Sequence, residues 1–480
     1  MKKVQYAMKK HSKIRKLGIN QEDETEKLKK KSRLISVKEG TAYSVSDGAG
    51  MRYITPYALS LGANNMHIGL LAALPTMLGN FSQLVTIKMM ERHRRSQISF
   101  LGALFQAFMW LALIALGIIY YEFPSFASKV PALLIVIYCI LAVFGAFIVP
   151  AWVSWMGQLV HKDSYGHYFG MRNRIVGVVV IISMIFAGFM LDYFKQTHVF
   201  LGFAILFFIA FIARMISAYY FKKQYEPKLE LKKGYYFSIW QFMARMTHNN
   251  FGLFVLFVSL LYLATYIASP FFSVYMLKHL NFSYVFFTIV MMAAPIATLI
   301  FVSAWGKFAD RYGTMRTMKI CSYFTFLIPV LWLGSILLLN VNQLVLLAYL
   351  VVIEAFSGFI WAGLNISINN FVYDAVTEDR VALCTAYFNI FTGIGLFLGA
   401  ALGGLISSAN IAFFGMGAIF IGFIASAFFR LLVPVLMMHK LSEVRKVKDF
   451  NLHEAKEKIF TLTPSKAVRY LDLNMFRPKP

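Results

Sequence analysis

Charged residues are scarce in this chain of 480 residues: Asp, Glu, Lys and Arg make up only 14% of it, and 59% is hydrophobic. Soluble domains are usually about 25% charged, so an ordinary soluble domain is excluded. Apolar runs long enough to span a bilayer as a helix recur along the chain, for example at 101–121 and 199–221. Because backbone polar groups in lipid must be satisfied within their own segment, these runs form helices. The sequence predicts an all-α, multi-pass membrane protein.

Cysteine is nearly absent, and Cys139, Cys321 and Cys384 lie in apolar segments that are far apart in sequence. We interpret them as packing residues, with no disulfide and no metal site. No phosphate-cradling P-loop of the Walker type is found, so we expect neither a cofactor nor direct use of ATP. Residues 1–33 lack an apolar core, and we expect no cleavable signal peptide.

Acidic residues are few: 22 Asp and Glu stand against 47 Lys and Arg, a net charge of +25. In a soluble protein this excess would suggest a nucleic-acid partner. Here the basic clusters at 27–33, 91–95 and 221–233 fall on one side of the predicted membrane, and the loops at 64–67 and 340–343 hold no Lys or Arg. The positive-inside rule explains this bias. We therefore predict cytoplasmic termini, a plasma-membrane location and no nucleic-acid partner.

The apolar segments divide into two sets of six at the widest polar interruption, Lys222 to Gly234. We expect twelve transmembrane helices in two pseudo-symmetric six-helix bundles, and a monomer. The predicted segments are 34–60, 66–88, 97–121, 130–160, 172–193, 198–221, 251–277, 283–305, 317–339, 342–373, 381–408 and 411–438. The predicted domains are a basic cytoplasmic tail (1–33), an N-terminal bundle (34–221), a cytoplasmic linker with a possible interfacial helix (222–250), a C-terminal bundle (251–438) and a second cytoplasmic tail (439–480).

The two sets of segments resemble each other. A proline in the second segment of each half, Pro75 and Pro295, is followed by an acid–arginine pair. The sixth and twelfth segments each carry one arginine, Arg214 and Arg430, which we expect to extend to the lipid headgroups. Matches in the same order indicate parallel internal repeats, an arrangement typical of certain transporters.

A motif of glycine, acid and basic residues follows the eighth segment. It resembles the loop signature of the major facilitator superfamily, and here it consists of Gly306, Asp310, Arg311, Gly313 and Arg316. The first-half copy is degenerate, with Glu91 and Arg92 in place of Asp-Arg. The resemblance covers nearly all of 34–438 and implies a carrier of small molecules that works by alternating access.

The resemblance also implies a role for the acids of this motif as conformational latches. A carboxylate at the membrane edge can accept hydrogen bonds from the free N–H groups at the start of a helix in the other half. Asp310 would reach the fifth segment near Arg172, and Glu91 the eleventh near Val381. The alternative is that Asp310 and Arg311 only tighten a turn.

The first segment holds the strongest candidates for a substrate or proton site. Glu39, Tyr43 and Asp47 repeat every four residues and share one helix face, which we expect to line the central cavity. Arg52 lies about 140° away from Asp47 on an unbroken helix, so a direct pair is not expected unless the glycines between them bend the helix. Otherwise Arg52 pairs with another segment or holds an anionic substrate.

A second stripe lies on the tenth segment, where Glu354, Trp361, Asn365 and Asn369 recur at helical spacing. With Asn389 of the eleventh segment, they suit a small organic solute in a mostly apolar pocket. The alternative is that the amides bond between helices.

These residues favour a secondary carrier, and the protonation of a buried carboxylate would couple it to protons because it removes a charge from the site. The alternatives are a receptor or sensor on the same fold and a lipid-linked membrane transferase, for which the outer loops are too short and poor in carboxylates. The acids with Trp361 would suit an amphipathic cation, the amides a sugar or nucleoside, and Arg52 a carboxylate.

Overall fold

The computed structural model describes residues 2–161, 165–227, 238–376, 380–409 and 417–445, with side chains from residue 24 onward except 165–167 and 382. Within these ranges the chain is helical and contains no strand. Eleven helices there are long and apolar enough to cross a membrane. The helix that contains the first predicted segment is not among these eleven. It packs against the other helices of the N-terminal half.

The N-terminal half follows the predicted segments closely. Its helices are α1 (Lys2–Ala49), α2 (Ile54–Ser60), α3 (Asn65–Met89), α4 (Arg95–Glu122), α5 (Val130–Leu159), α6 (Tyr165–Lys195) and α7 (Val199–Lys223). The first predicted segment is not one helix: it breaks after Ala49 and passes through a 3-10 turn at Met51–Tyr53. Gly50 lies at this break against the Trp110 ring, where a Cβ atom would be only 2.5 Å from the indole.

The C-terminal half repeats this order. Its helices are α9 (Asn250–Tyr266), α10 (Ser269–Val274), α11 (Tyr284–Tyr312), α12 (Thr314–Phe324), α13 (Leu327–Gly334), α14 (Gln343–Ala375), α15 (Val381–Ser408) and α16 (Ala418–Met437), preceded by the short α8 (Ile239–Arg245). The predicted seventh and ninth segments are each broken in two. α8 lies within the linker, where an interfacial helix was expected.

The two halves meet mainly along two pairs of helices, α3 with α15 and α6 with α11. We name as the basic end the end of the bundle that carries the turns at 90–94, 224–227 and 441–445. The other end, with the turns at 62–64 and 339–342, is the opposite end. That the basic end is cytoplasmic stays a prediction from charge.

The opposite end is closed by hydrogen bonds between the halves. Asp192, near the end of α6, accepts from the backbone N–H groups of Tyr284 and Val285 at 2.7 and 2.8 Å, so it caps the start of α11. Lys278 donates to the Ala63 carbonyl at 3.2 Å. Nearer the basic end, the Asn389 amide of α15 donates to Gln83 of α3. The described structure is therefore closed at the opposite end.

The turn after α7 fastens the basic end of the N-terminal half. Glu226 accepts hydrogen bonds from the backbone N–H groups of Arg95 and Ser96 at the start of α4, and from both side chains. Arg95 is fully buried, and its guanidinium also donates to Gln158 of α5. Burial raises the pKa of Glu226, but the hydrogen bonds from Ser96 and Arg95 outweigh it, so its pKa lies below the ordinary value.

The same device closes the C-terminal half. Glu443, after α16, accepts from the Met315 N–H at the start of α12 at 2.8 Å. Ser442 exchanges two hydrogen bonds with Asn250 at the start of α9. Arg445 forms an ion pair with Asp374 at 2.7 Å. In each half, an acid that follows the last spanning helix therefore caps the start of the third spanning helix, which is α4 or α12. The helix dipole favours negative charge at that position.

The depressed pKa of Glu226 predicts a pH-dependent stability. A carboxyl whose pKa is lower in the folded state stabilises it above the unfolded pKa of about 4.3, and this contribution is lost as pH falls through the folded pKa. We expect Glu226→Gln to lower the melting temperature of the purified protein at pH 7, and the difference from the wild type to narrow below about pH 4.

The matched control is Glu122→Gln, since Glu122 is an exposed acid at the opposite end with no partner recorded in the described structure. It should leave the melting temperature unchanged at both pH values. If Glu226→Gln lowered the melting temperature equally at pH 7 and below pH 4, the capping role would be contradicted.

Candidate functional site

A cluster of buried charges lies inside the N-terminal half. Glu39 of α1 is 5% exposed and approaches two arginines: Arg214 of α7, 3% exposed, at 3.7 Å, and Arg172 of α6, 12% exposed, at 3.4 Å. Ser217 donates a hydrogen bond to Glu39 at 2.8 Å. An isolated charge inside the membrane is costly, so the three groups stabilise one another.

Arg214 makes the shortest hydrogen bonds of this cluster. It donates to the Gln106 side chain of α4 at 2.5 Å and to Ser217 at 2.6 Å, and its guanidinium lies over the ring of Tyr43 at 4.9 Å from the centroid. The expectation that Arg214 extends to the headgroups is wrong. It lies nine residues inside the basic end of α7, about 14 Å from that end at 1.5 Å per residue, and the carboxylate of Glu39 is within reach.

A cavity of about 640 Å³ opens beside the cluster. Glu39, Tyr43, Arg172 and Arg214 line it, as the spacing of Glu39 and Tyr43 predicted. The remaining polar lining residues are Thr76, Asn80, Gln83, Gln106 and Tyr138, and apolar residues of α5 complete the wall. Its volume is in the range of sites for small organic ligands.

Asp47 follows Glu39 and Tyr43 on the unbroken helix α1, but it is not among the residues that line this cavity. The helix break after Ala49 brings Arg52 back to it, and the two form an ion pair at 3.3 Å. The alternative of a glycine bend is therefore the one that the structure shows. The side chains of Asp47 and Arg52 are 18% and 42% exposed, and their opposite charges cancel.

A second, smaller cavity of about 190 Å³ lies in the C-terminal half, and Glu354 lines it together with Trp332, Trp361 and Arg430. The Trp332 indole donates to the Glu354 carboxyl at 3.0 Å. Trp361 stacks on Tyr262 with centroids 5.9 Å apart. Two members of the predicted stripe therefore lie together, whereas Asn365 and Asn369 are exposed and bond to no other described residue.

Arg430 corresponds to Arg214, and it too is buried rather than at the headgroups. Its guanidinium donates to the carbonyls of Thr265 and Thr325 at 3.0 and 3.3 Å. These carbonyls lie at the breaks between α9 and α10 and between α12 and α13, where the helical hydrogen bonding is interrupted. Arg430 therefore stabilises the helix breaks of its half.

Asn389 belongs to the interface between the halves and not to either cavity. Its backbone carbonyl accepts from Asn80 at 2.8 Å, and its amide donates to Gln83 at 3.3 Å. The alternative of amides that bond between helices is the one the structure shows here.

The signature motif forms the turn between α11 and α12. Gly313 has φ +105°, a conformation that L side chains rarely adopt, which explains the glycine. A Cβ atom on Gly306 would lie 3.1 Å from Ile366. Arg311 lies over the ring of Tyr312, and Arg316 follows in the first turn of α12.

The predicted latch acids do not reach the other half in this conformation. Asp310 is 70% exposed and pairs with Arg445 of its own half at 3.5 Å. Glu91 and Arg92 are exposed in the turn before α4. Asp192, which the sequence did not single out, makes the cap of this kind at the opposite end.

A helical bundle of two repeated halves that meet along two helix pairs, with a polar cavity inside, defines a membrane transporter. The family model of the Major Facilitator Superfamily matches residues 45–259 and 253–468. The chain belongs to this superfamily.

Proteins that this chain resembles are named as efflux pumps or transporters. A protein of Lactococcus lactis subsp. lactis (strain IL1403), named as a homolog of the multi-drug resistance efflux pump PmrA, is 22% identical over 267 residues. The match spans 54% of this chain and 61% of that relative's length.

Among solved structures, a variant of the nucleoside transporter NupG has a TM-score of 0.64 at 14% identity, covering 86% of this chain and 100% of that one. An inward-facing bacterial homolog of the human lysosomal transporter Spinster has a TM-score of 0.59 at 14% identity, with 86% and 98% covered. An inward-facing bacterial homologue of ferroportin has 0.58 at 12%, also with 86% and 98% covered. At these identities the likeness shows the fold alone.

The buried cluster predicts non-additive stability effects. Arg214→Gln leaves Glu39 without its best-held cation and should cost about 3–5 kcal/mol of unfolding free energy. Adding Glu39→Gln to that variant should recover part of the loss, because no unpaired carboxylate remains buried. Denaturant unfolding of the purified variants measures both.

Arg174→Gln is the matched control, because Arg174 is an exposed arginine on α6. Its effect should stay within about 0.5 kcal/mol. Additive losses in the double variant would show that Glu39 and Arg214 do not stabilise each other.

Proposed function

We propose that this protein is a secondary active transporter, not an enzyme, that moves a small organic solute by alternating access and is coupled to protons through Glu39. The observation that carries the proposal is a buried carboxylate in the wall of a cavity large enough for such a solute. Protonation would release Glu39 from both arginines and change the charge of the site. Because a charge inside the membrane opposes reorientation, the positive charge that the proton adds has to be offset by the solute, and this links proton binding to movement.

Glu39 is preferred over the other acids because of where each one lies. Asp47 is paired with Arg52 and lies outside the cavity. Glu354 accepts a hydrogen bond from Trp332 and faces a separate cavity of about 190 Å³. Glu354 is therefore the second candidate for the proton site.

Proton coupling predicts a pH-dependent ligand response. Sugars, nucleosides, amino acids, organic acids and lipophilic cations can be screened by thermal shift at pH 5.5 and 7.5, since a ligand that binds the native state raises its stability. We expect a ligand whose shift differs between the two pH values in the wild type and not in Glu39→Gln. Glu354→Gln is the matched control, a second buried carboxyl, and should keep the difference.

A wild-type shift of equal size at both pH values would contradict the coupling. A difference that persists in Glu39→Gln and disappears in Glu354→Gln would move the proton site to the C-terminal half.

Alternating access predicts opposite roles for two acids. Asp192 closes the opposite end, so Asp192→Asn should weaken a charge-assisted cap and open that end. Asp310 should close the basic end in the other conformation, so Asp310→Asn should disfavour that conformation. Spin labels at Ser125→Cys and Asn340→Cys, exposed in the two halves at the opposite end, report the distance.

We expect Asp192→Asn to add a population in which the two labels are farther apart. Asp310→Asn should reduce the population at that longer distance. An unchanged distribution in Asp310→Asn would remove the latch and leave only its role in the turn. An unchanged distribution in Asp192→Asn would show that apolar packing alone holds this end closed.

A further inference from the structure

The described residues that line the cavity of the N-terminal half carry one excess positive charge. Among them are two guanidinium groups, Arg172 of α6 and Arg214 of α7, and a single carboxylate, Glu39 of α1. The other polar lining groups of α1, α4 and α5 are neutral: Tyr43, Gln106 and Tyr138. The nearby pair of Asp47 and Arg52 adds no net charge.

The two arginines are not equivalent. Arg214 makes hydrogen bonds of 2.5 and 2.6 Å and is 3% exposed. Arg172 is 12% exposed, and its contacts to the Ser36 carbonyl and to Glu39 are both 3.4 Å, longer than the roughly 2.7–2.9 Å of a strong charge-assisted bond. Its Nη1 atom bonds to no described residue. Arg172 is therefore the guanidinium that a ligand can recruit.

The surroundings of Arg172 fit a planar anionic group. Its guanidinium lies over the Trp152 ring, 4.5 Å from the centroid, and both residues line the cavity. A stacked guanidinium edge matches a carboxylate in a bidentate geometry. Beyond it, Ile148, Val149 and Val153 of α5 supply an apolar wall.

We propose that this cavity binds an organic monoanion, whose carboxylate docks on Arg172 and whose apolar body lies along α5. The inference rests on the proposed transport function and names its substrate class. The substrate carboxylate and Glu39 compete for Arg172, so protonation of Glu39 frees the guanidinium for the substrate. A proton and a monoanion that enter together leave the net charge of the cavity unchanged, and the loaded carrier reorients with the same charge as the empty one.

The same charges disfavour the other solutes considered from the sequence. An amphipathic cation would meet two guanidinium groups, one of which Glu39 cannot neutralise. The tryptophan and amides of the tenth segment do not contribute to this cavity. A neutral sugar or nucleoside would leave the excess charge without a partner.

Probe molecules that share one body and differ in charge test the inference. The full-length protein in detergent is titrated at pH 5.5 with benzoate and 4-phenylbutyrate, with the matching amides, and with benzylamine and 4-phenylbutylamine. We expect the carboxylates to raise the melting temperature and the amines not to. In Arg172→Gln the apparent affinity for the carboxylates should fall about tenfold or more, which corresponds to the loss of about one strong hydrogen-bonded pair.

The variants separate charge from structure. Arg174→Gln removes an exposed arginine two residues away on the same helix and should keep the wild-type affinity within about twofold. Arg172→Lys keeps the charge and loses the planar edge, so its affinity should lie between those of the wild type and Arg172→Gln. This gradation stays measurable as long as Arg172→Lys folds, even where Arg172→Gln does not.

Three results would overturn the inference: stabilisation by the amines, equal affinities in Arg172→Gln and Arg174→Gln, or no stabilisation by any carboxylate. They are distinguishable from failure of the proposed function. Stabilisation by the amines that depends on pH through Glu39 would keep the proton coupling and reject the anion. Stabilisation by carboxylates that is indifferent to Glu39→Gln would keep the anion and reject the coupling.

Discussion

The ion cluster of Glu39, Arg172 and Arg214 is the interaction on which the N-terminal half depends. Each of these charges alone would cost at least about 2.5–3.5 kcal/mol inside a membrane, and more without local water. Together they tie α1 to α6 and α7, and Gln106 extends the tie to α4. The C-terminal half places Arg430 at the corresponding position but gives it backbone carbonyls, not a carboxylate, as its direct partners. An arginine at the same position thus orders both halves, and in the N-terminal half it forms a direct ion pair with a carboxylate.

Much of the fold could be predicted from the sequence because the signals are additive along the chain. Hydropathy predicts the spans, and the polar interruption after Lys222 separates the halves. The break in the first span was an open alternative, but those in the seventh and ninth segments were missed. A break that a neighbouring arginine satisfies, as at Thr265 and Thr325, leaves the segment as apolar as an unbroken one. The helical fold and its repeat are encoded in long segments of sequence. A helix break depends on one or two residues and on their neighbours in space, which hydropathy does not report.

The candidate site was predicted only in part, for a related reason. Helical spacing places Glu39 and Tyr43 on one face and correctly directs them to the cavity. It gives no information about the helix that stands opposite, so Arg214 was assigned to the headgroups and Arg172 only to a helix start. A depth count along α7 would have found Arg214, since about 14 Å from the helix end is too deep for its side chain to reach the headgroups. The caps of Glu226 and Glu443 also had a signal, because each acid follows the arginine of its last helix at nearly the same spacing.

The two ends of the molecule use one kind of interaction in opposite ways. At the opposite end Asp192 caps a helix of the other half, and at the basic end Glu226 and Glu443 cap helices of their own half. An acid that caps its own half moves with it and makes the half a rigid body, whereas an acid that caps the other half must let go before the halves can part. Rigid halves concentrate the motion at the α3–α15 and α6–α11 contacts. The charge cluster joins α1, α6 and α7 and is anchored in one half only, and α6 is one of the helices that form the contact between the halves.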